Sequence, residues 1–279
     1  MEKIVGLTLD AERALYHTQN GEILNCTFAG AADGESALKE CEDILVQDCR
    51  FLLRYPMWHD RRFRLSGSRM ADTARAALWY DADGTIENCE LGGIKCLREC
   101  DRIRISGCRI DSAEFGWKCR NIELLDSQIR SEYFLLDSSD LHLNHVEFSG
   151  KYSFQYTRNV LVENCDLNTK DAFWHSQNAV VRNCVVRGEY LGWYSDGLTL
   201  ENCRIIGTQP LCYCKNLKLI HCTMEETNLS FEYSDVEADV QGNILSVKNP
   251  RSGHICADGI GEIIRDDPVM ECTCEIKTG

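Results

Sequence analysis

The stretch from 158 to 233 reads RNVLVENCDLNTKDAFWHS (158–176), QNAVVRNCVVRGEYLGWYS (177–195), DGLTLENCRIIGTQPLCYC (196–214) and KNLKLIHCTMEETNLSFEY (215–233), four lines that align without a gap at 19 residues. Each line opens on a short alternating segment: Val160-Leu161-Val162, Val180-Val181, Leu198-Thr199-Leu200 and Leu217-Lys218-Leu219. Alternation over so few residues is the pattern of a half-buried strand. Three residues after each segment stands Cys165, Cys184, Cys203 or Cys222, and two further on another apolar residue such as Leu167, Val186 or Ile205. Just before each segment sits Asn159, Asn178, Gly197 or Asn216. Those types accept left-handed backbone cheaply, so they mark a turn in every line.

The frame extends outward from this block. Ile103-Arg104-Ile105, Ile122-Glu123-Leu124 and Leu141-His142-Leu143 repeat the strand; Cys89 and Cys108 repeat the cysteine column, with Ser127 and Val146 at its vacancies. The turn column continues through Asn121, Asp140 and Asp235 and, with small insertions, Asn20, Asp43, Arg62, Asp83 and Arg102. No line carries apolar residues at 3.6 spacing long enough for a helix, which excludes helical and leucine-rich repeats. The reading that remains is all-β: a single-stranded right-handed parallel β-helix, a solenoid of about twelve coils of 19 residues with terminal caps. The hand follows from the right-handed crossover of parallel strands. Residues 1–245 are expected to form the solenoid and 246–279 its C-terminal cap, because Asn249-Pro250-Arg251-Ser252-Gly253 breaks the order. Residues 1–19 read as an incomplete first coil and 29–35 as an inserted loop.

Lys plus Arg number 30 against 44 Asp plus Glu in 279 residues, a net charge of −14. Without clustered cations the chain is a poor partner for nucleic acid or anionic membranes. The longest apolar run is Ala76 to Tyr80, far short of the ~20 residues of a membrane span. The opening MEKIVGLTLDAER carries acids where a signal peptide has an apolar stretch, so export is not expected and the expected location is cytoplasmic, with 17 Cys held as free thiols. The cysteine column reads as a stacked ladder of small apolar side chains in the core. A metal alternative would draw on Cys212-x-Cys214 with His221 and Cys222, or Cys272-x-Cys274 with Cys256, but C-x-C is not the spacing of a structural zinc site.

The segments Leu38-Lys39-Glu40, Ala77-Leu78-Trp79-Tyr80, Lys170-Asp171-Ala172-Phe173-Trp174, Gly188-Glu189-Tyr190-Leu191-Gly192-Trp193, Phe231-Glu232-Tyr233-Ser234 and Ile260-Gly261-Glu262-Ile263-Ile264 resemble an uncharacterised bacterial family, a domain of unknown function. Over about residues 6–270 the resemblance implies a right-handed parallel β-helix of the pectate-lyase-like superfamily and supplies no activity.

Chemistry concentrates immediately before the turn. Four residues before it the lines read Tyr16, Lys39, Trp58, Trp79, Arg98, Trp117, Leu136, Gln155, Trp174, Trp193, Cys212, Phe231; three before, His17, Glu40, His59, Tyr80, Glu99, Lys118, Asp137, Tyr156, His175, Tyr194, Tyr213, Glu232. Columns so mixed in charge cannot be dry core, so both are expected to face outward, which calls for a bulge. One reading is structural: in-register rings stack between coils. The other is a platform for a sugar chain, with Trp58, Trp79, Tyr80, Arg98, Trp117, Trp174 and Trp193 as the binding residues. Asp60 and Asp81 occupy equivalent positions on adjacent coils, roughly 5 Å apart by strand spacing. That separation suits a retaining glycosidase or a calcium site. His59, Glu99 and Lys118 complete the candidate catalytic set. The bland alternative has Asp60 and Asp81 capping turns and pairing with Arg61, Arg62 or Arg75. Two functions from different classes follow: a carbohydrate-active hydrolase, lyase or epimerase with no cofactor other than calcium, or a non-catalytic scaffold that binds a glycan or a protein along the same face.

Overall fold

The computed structural model describes residues 2–30 and 35–279, so residues 31–34 of the loop expected at 29–35 lie outside the described residues. The chain is an all-β, right-handed parallel β-solenoid of about fourteen turns, and no helix occurs among the described residues. The sequence period accounts for about twelve turns; the count rises because pairing continues beyond the periodic lines. Glu2–Val5 pairs in parallel with Gly21–Leu24, Ser252–Ile264 with Asp235–Lys248, and Glu275–Thr278 with Ser252–Ile264. The boundary expected at 245/246 therefore falls inside a strand, Asp235–Lys248. Contacts divide the chain into two compact units, Met1–His142 and Leu143–Gly279, a division that the period does not mark.

In the first unit the strands Glu42–Gln47, Arg61–Ser66, Ala82–Glu87, Asp101–Ser106 and Arg120–Leu125 stack in parallel and in register. Their alternate residues make two buried rows, Ile44, Phe63, Gly84, Ile103, Ile122 and Val46, Leu65, Ile86, Ile105, Leu124. Gly84 is in that row by necessity: a Cβ there would stand 2.2 Å from the Phe63 ring, which fills the space instead. In the second unit Arg158–Glu163, Gln177–Arg182, Thr199–Glu201 and Leu217–Glu225 pair the same way and stack Val162, Val181, Leu200 and Leu219 inside. Phe154 and Phe173 lie flat on one another at 4.6 Å within that core.

Left-handed residues recur at fixed places in the coils. The turn column (Asn20, Asp43, Arg62, Asp83, Arg102, Asn121, Asp140, Asn159, Asn178, Gly197, Asn216) has φ between +48° and +74°. The residue before the cysteine column is left-handed too: Asn25, Asp48, Gly67, Asn88, Gly107, Asp126, His145, Asn164, Asn183, Asn202 and His221. Asn, Asp and Gly dominate both, as the strain of that region requires.

The residue after each of those corners turns inward, and its N–H is left out of the strand pairing. The next coil satisfies it: Cys165 N–H donates to Cys184 Sγ at 3.3 Å, Cys89 N–H to Cys108 Sγ at 3.4 Å and Cys108 N–H to Ser127 Oγ at 3.1 Å. The thiols in turn donate to the carbonyl two residues back, as Cys165 does to Glu163 and Cys184 to Arg182. The column read as small and apolar is thus small and polar in use. All the cysteines are free, and all but Cys256 and Cys272 are buried.

Candidate functional site

The third face of the first unit is a four-stranded parallel sheet of two-residue strands, Leu38–Lys39, Met57–Trp58, Leu78–Trp79 and Leu97–Arg98. The first residue of each points in and the second out, which aligns Lys39, Trp58, Trp79 and Arg98, with Trp117 bridged to Arg98. Trp58 and Trp79 stack at 5.4 Å and 9°. Lys39 Nζ sits 4.3 Å from the Trp58 ring centre, and Arg98 lies between Trp79 and Trp117 at 5.7 and 5.9 Å. Each indole in this cation–π column has a face already covered, so the flat sugar platform expected of Trp58, Trp79 and Trp117 is largely consumed by the fold. Trp117, Trp174 and Trp193 also donate their indole N–H to the carbonyls of Tyr133, Tyr190 and Gln209, 16 residues on. Trp174 and Trp193 stack on each other at 5.4 Å. These rings fasten coil to coil.

The next residue in each coil also faces out, and the reason is backbone rather than a bulge in the ladder. His17, Glu40, His59, Tyr80, Glu99 and Lys118 all have φ between +52° and +62°. In the second unit Tyr156, His175, Tyr194, Tyr213 and Tyr233 do the same, at +53° to +60°. Asn, Asp and Gly predominate at the two left-handed corners already described; here the chain places Tyr, Glu and Lys, for which that conformation costs about 1–2 kcal/mol each.

In the first unit these side chains bond along the column. Tyr16 donates to Glu40 Oε2 at 2.8 Å, and Tyr80 donates to Glu99, which Arg98 also reaches at 3.1 Å. That bond to Glu99 pushes the Tyr80 phenol up. Partial burial pulls Glu99 upward, but the bonds from Arg98 and Tyr80 outweigh it and hold the carboxyl below its usual range. His59 stacks on Tyr80 at 4.9 Å; burial, with Lys39 and Arg61 nearby, lowers its pKa against the pull of Glu40. His17, Gln19, Glu40, Glu42, His59 and Arg61 line an open groove of about 390 Å³. Lys118 is exposed at the same corner two coils beyond Tyr80. His59, Tyr80, Arg98, Glu99 and Lys118 are therefore outward and on one face.

Asp60 and Asp81 are not. They are 0 % and 1 % exposed, pointing into the solenoid. Cys41 N–H donates to Asp60 Oδ1 at 2.7 Å and Asp60 N–H to Asp81 Oδ1 at 2.8 Å. Burial first, and for Asp60 the neighbouring Asp81 next, raises both pKa values well above the carboxylate range. The expected acid–base pair is thus sealed from any substrate. Among the described residues neither carboxyl pairs with an arginine: Arg62 bonds to Asp43 at 2.8 and 2.9 Å and also pairs with Glu42. Calcium takes six to eight oxygen ligands, and two fully buried carboxyls, each already accepting from a backbone N–H and set beside the thiols of Cys41 and Cys100, do not supply such a shell. Among the described residues no group of three or more His, Cys, Asp and Glu could hold a metal ion. The signal was present in the sequence, since the position two before the turn is Thr18, Cys41, Cys100, Cys119, Ser138, Thr157, Ser176, Ser195 and Cys214 in the other coils. That is a second inward column of small polar residues.

In the second unit the left-handed column is a stack of rings. Tyr156 and His175 lie 5.1 Å apart, His175 and Tyr194 5.0 Å, Tyr194 and Tyr213 4.8 Å, all within 10° of parallel. Tyr156 and Tyr194 are 53 % and 46 % exposed, while burial pushes the Tyr213 phenol up to about 12. The outer edge of the stack presents one hydroxyl or imidazole per coil.

No helix among the described residues is long and apolar enough to cross a membrane. No curated protein matches the sequence. Among solved structures the chain is similar to a mannuronic acid specific polysaccharide family 6 lyase from human gut microbiota, at 7% identity and a TM-score of 0.44, covering 95% of this chain and 83% of that one. It is similar to the periplasmic alginate epimerase AlgG at 10% identity and a TM-score of 0.25, covering 99% and 76%. It is also similar to HetL, a pentapeptide repeat protein of the cyanobacterium Nostoc, at 12% identity and a TM-score of 0.25, covering 79% and 92%. The family model described as "Protein of unknown function (DUF3737)" matches residues 2–277, and the chain belongs to that family.

Proposed function

We propose that the protein is a non-catalytic scaffold that binds a neutral glycan along the left-handed ring column of its second unit, Tyr156, His175, Tyr194 and Tyr213. The observation that carries this is the placing of large rings at an exposed, strained corner in consecutive coils. Buried Phe154 and Phe173 tolerate left-handed backbone because burial offsets its cost. Exposed Tyr156 and Tyr194 gain only ring stacking, about 0.5–1.5 kcal/mol, which roughly cancels the strain and leaves stability no reason to prefer them over Asn. A stack whose ring centres lie 4.8–5.1 Å apart, each ring ending in a hydroxyl or imidazole, matches a polymer with one hydroxyl-rich ring per step. Uncharged side-chain types favour a neutral sugar chain over a polyuronate, in keeping with the −14 net charge. The binding reading gains over the enzyme reading because Asp60 and Asp81 are buried. The free thiols suit a reducing compartment.

The test replaces Tyr194 with Asn. Expected are a melting temperature within a few degrees of the parent and at least a tenfold loss of affinity for neutral oligosaccharides, about 1.4 kcal/mol, by calorimetric titration against gluco-, manno- and xylo-oligosaccharide series. Unchanged binding in Tyr194→Asn and in Tyr156→Ala, or a parent protein that binds none of the series, overturns the reading.

A further inference from the structure

The inward column two residues before the turn imposes one rule on its side chains. In the first unit each accepts from a backbone N–H of the preceding coil or donates to a carbonyl, and Ser138 does both. Ser138 Oγ accepts from Cys119 N–H at 2.9 Å and donates to the Gly116 carbonyl at 2.6 Å. Cys41 Sγ donates to the Leu15 carbonyl at 3.3 Å, and Cys100 Sγ to the carbonyls of Leu78 at 3.5 Å and Arg98 at 3.2 Å. An ionised carboxylate can only accept. At Asp60 and Asp81 the accepting half is filled by Oδ1, while among the described residues Oδ2 of each is buried and meets no partner.

We propose that Asp60 and Asp81 are held in the folded protein as neutral carboxylic acids, and that these two protons form a pH-sensitive latch on the coils that carry the His17, Glu40 and His59 groove. Protonated, each carboxyl carries a donor like that of Cys and Ser elsewhere in the column and places no charge inside the solenoid. Ionised, each leaves a buried charge with no counter-ion. The groups around the pair leave no other way to neutralise it. From the preceding coil come Glu40, whose charge opposes ionisation, and Cys41; from the following coil comes the buried thiol of Cys100. Lys39 and Arg98 lie over the outward indoles, Arg61 lines the outer groove with His59, and Tyr80 and Glu99 bond to each other outside.

The sign follows from linkage. Folded-state pKa values raised above 3.8 mean that the native state holds more protons than the unfolded chain at higher pH. The stability these protons confer is full below the ordinary carboxylate value and is lost as pH rises toward the folded one, by about tenfold in the folding equilibrium per proton and pH unit.

The test is carboxyl-carbon NMR on the full chain, with thermal melts from about pH 5 to about pH 8. Expected are two aspartate carboxyl signals that stay in the protonated position through the range where exposed carboxylates ionise. The Asp60→Asn/Asp81→Asn and Asp60→Ser/Asp81→Ser proteins should lack both signals and lose that part of the decline in melting temperature with pH. Every aspartate carboxyl titrating in the ordinary range overturns the proposal, as do melting profiles of parent and variants that run parallel. Where the double variants fail to fold, the NMR titration of the parent decides.

Discussion

A cysteine at an inward corner meets two demands at once, accepting from the N–H of the coil before it and donating to a carbonyl of its own coil. Cys184 shows both, with Cys165 N–H at 3.3 Å and the Arg182 carbonyl at 3.0 Å. Ser preserves both bonds and Val neither. Cys184→Val should therefore cost about 1–3 kcal/mol for a buried N–H left unsatisfied, while Cys184→Ser stays within about 1 kcal/mol of the parent; urea unfolding separates them. Equal losses would mean that the column is a matter of volume alone. The same logic sets reactivity. Cys272, partly exposed, should label with a thiol reagent in the native protein well before Cys165, Cys184, Cys203 or Cys222. At this scale the sequence was legible in position and not in role. The interval located the cysteines, but treating them as apolar hid the hydrogen-bond rule that also governs Asp60 and Asp81, and so sent two buried carboxyls to the surface.

The coil is where the reading from sequence holds best, because a strand stacked on its own copy repeats its inward residues by necessity. The turn column is left-handed throughout Asn20 to Asn216. Other left-handed corners were harder to see: one is hidden next to the cysteines, one is filled by Tyr, His, Glu and Lys, and one by buried residues such as Phe154, Phe173 and Leu211, types that announce no turn. Between coils, single contacts then matter. Gly84→Ala would press a Cβ against the Phe63 ring, and overpacking of this kind costs about 1–3 kcal/mol. The pair Phe63→Leu/Gly84→Ala should recover a good part of that loss, so the double variant is more stable than Gly84→Ala alone by chemical denaturation. Additive losses would show that the strand shifts to relieve the clash. Trp174→Phe keeps the ring on Trp193 and removes one bond to Tyr190, for an expected loss of about 1 kcal/mol.

At the scale of the whole chain, charge and surface chemistry part company. The net charge is −14, and acids and bases on the sheet faces are largely paired across coils, as Arg64 is with Glu87 and Arg182 with Glu201. The ring column of Tyr156, His175, Tyr194 and Tyr213 breaks that habit. Salt screens what depends on charge and leaves the rest. A polyanion held by this chain would need cations to bridge it and would be released as ionic strength rises. A neutral sugar chain held by hydroxyl and imidazole tips has no such dependence. Affinity for neutral oligosaccharides should therefore change by less than about twofold between 50 mM and 200 mM salt, the interval over which a phosphate binder loses about 10³-fold or more. It should also grow with chain length until the sugar spans the four rings and then level off. A steep salt dependence, or equal affinity for mono- and oligosaccharides, would point to a charged ligand or to a single pocket, and the column of rings would then be left as a fastening between coils.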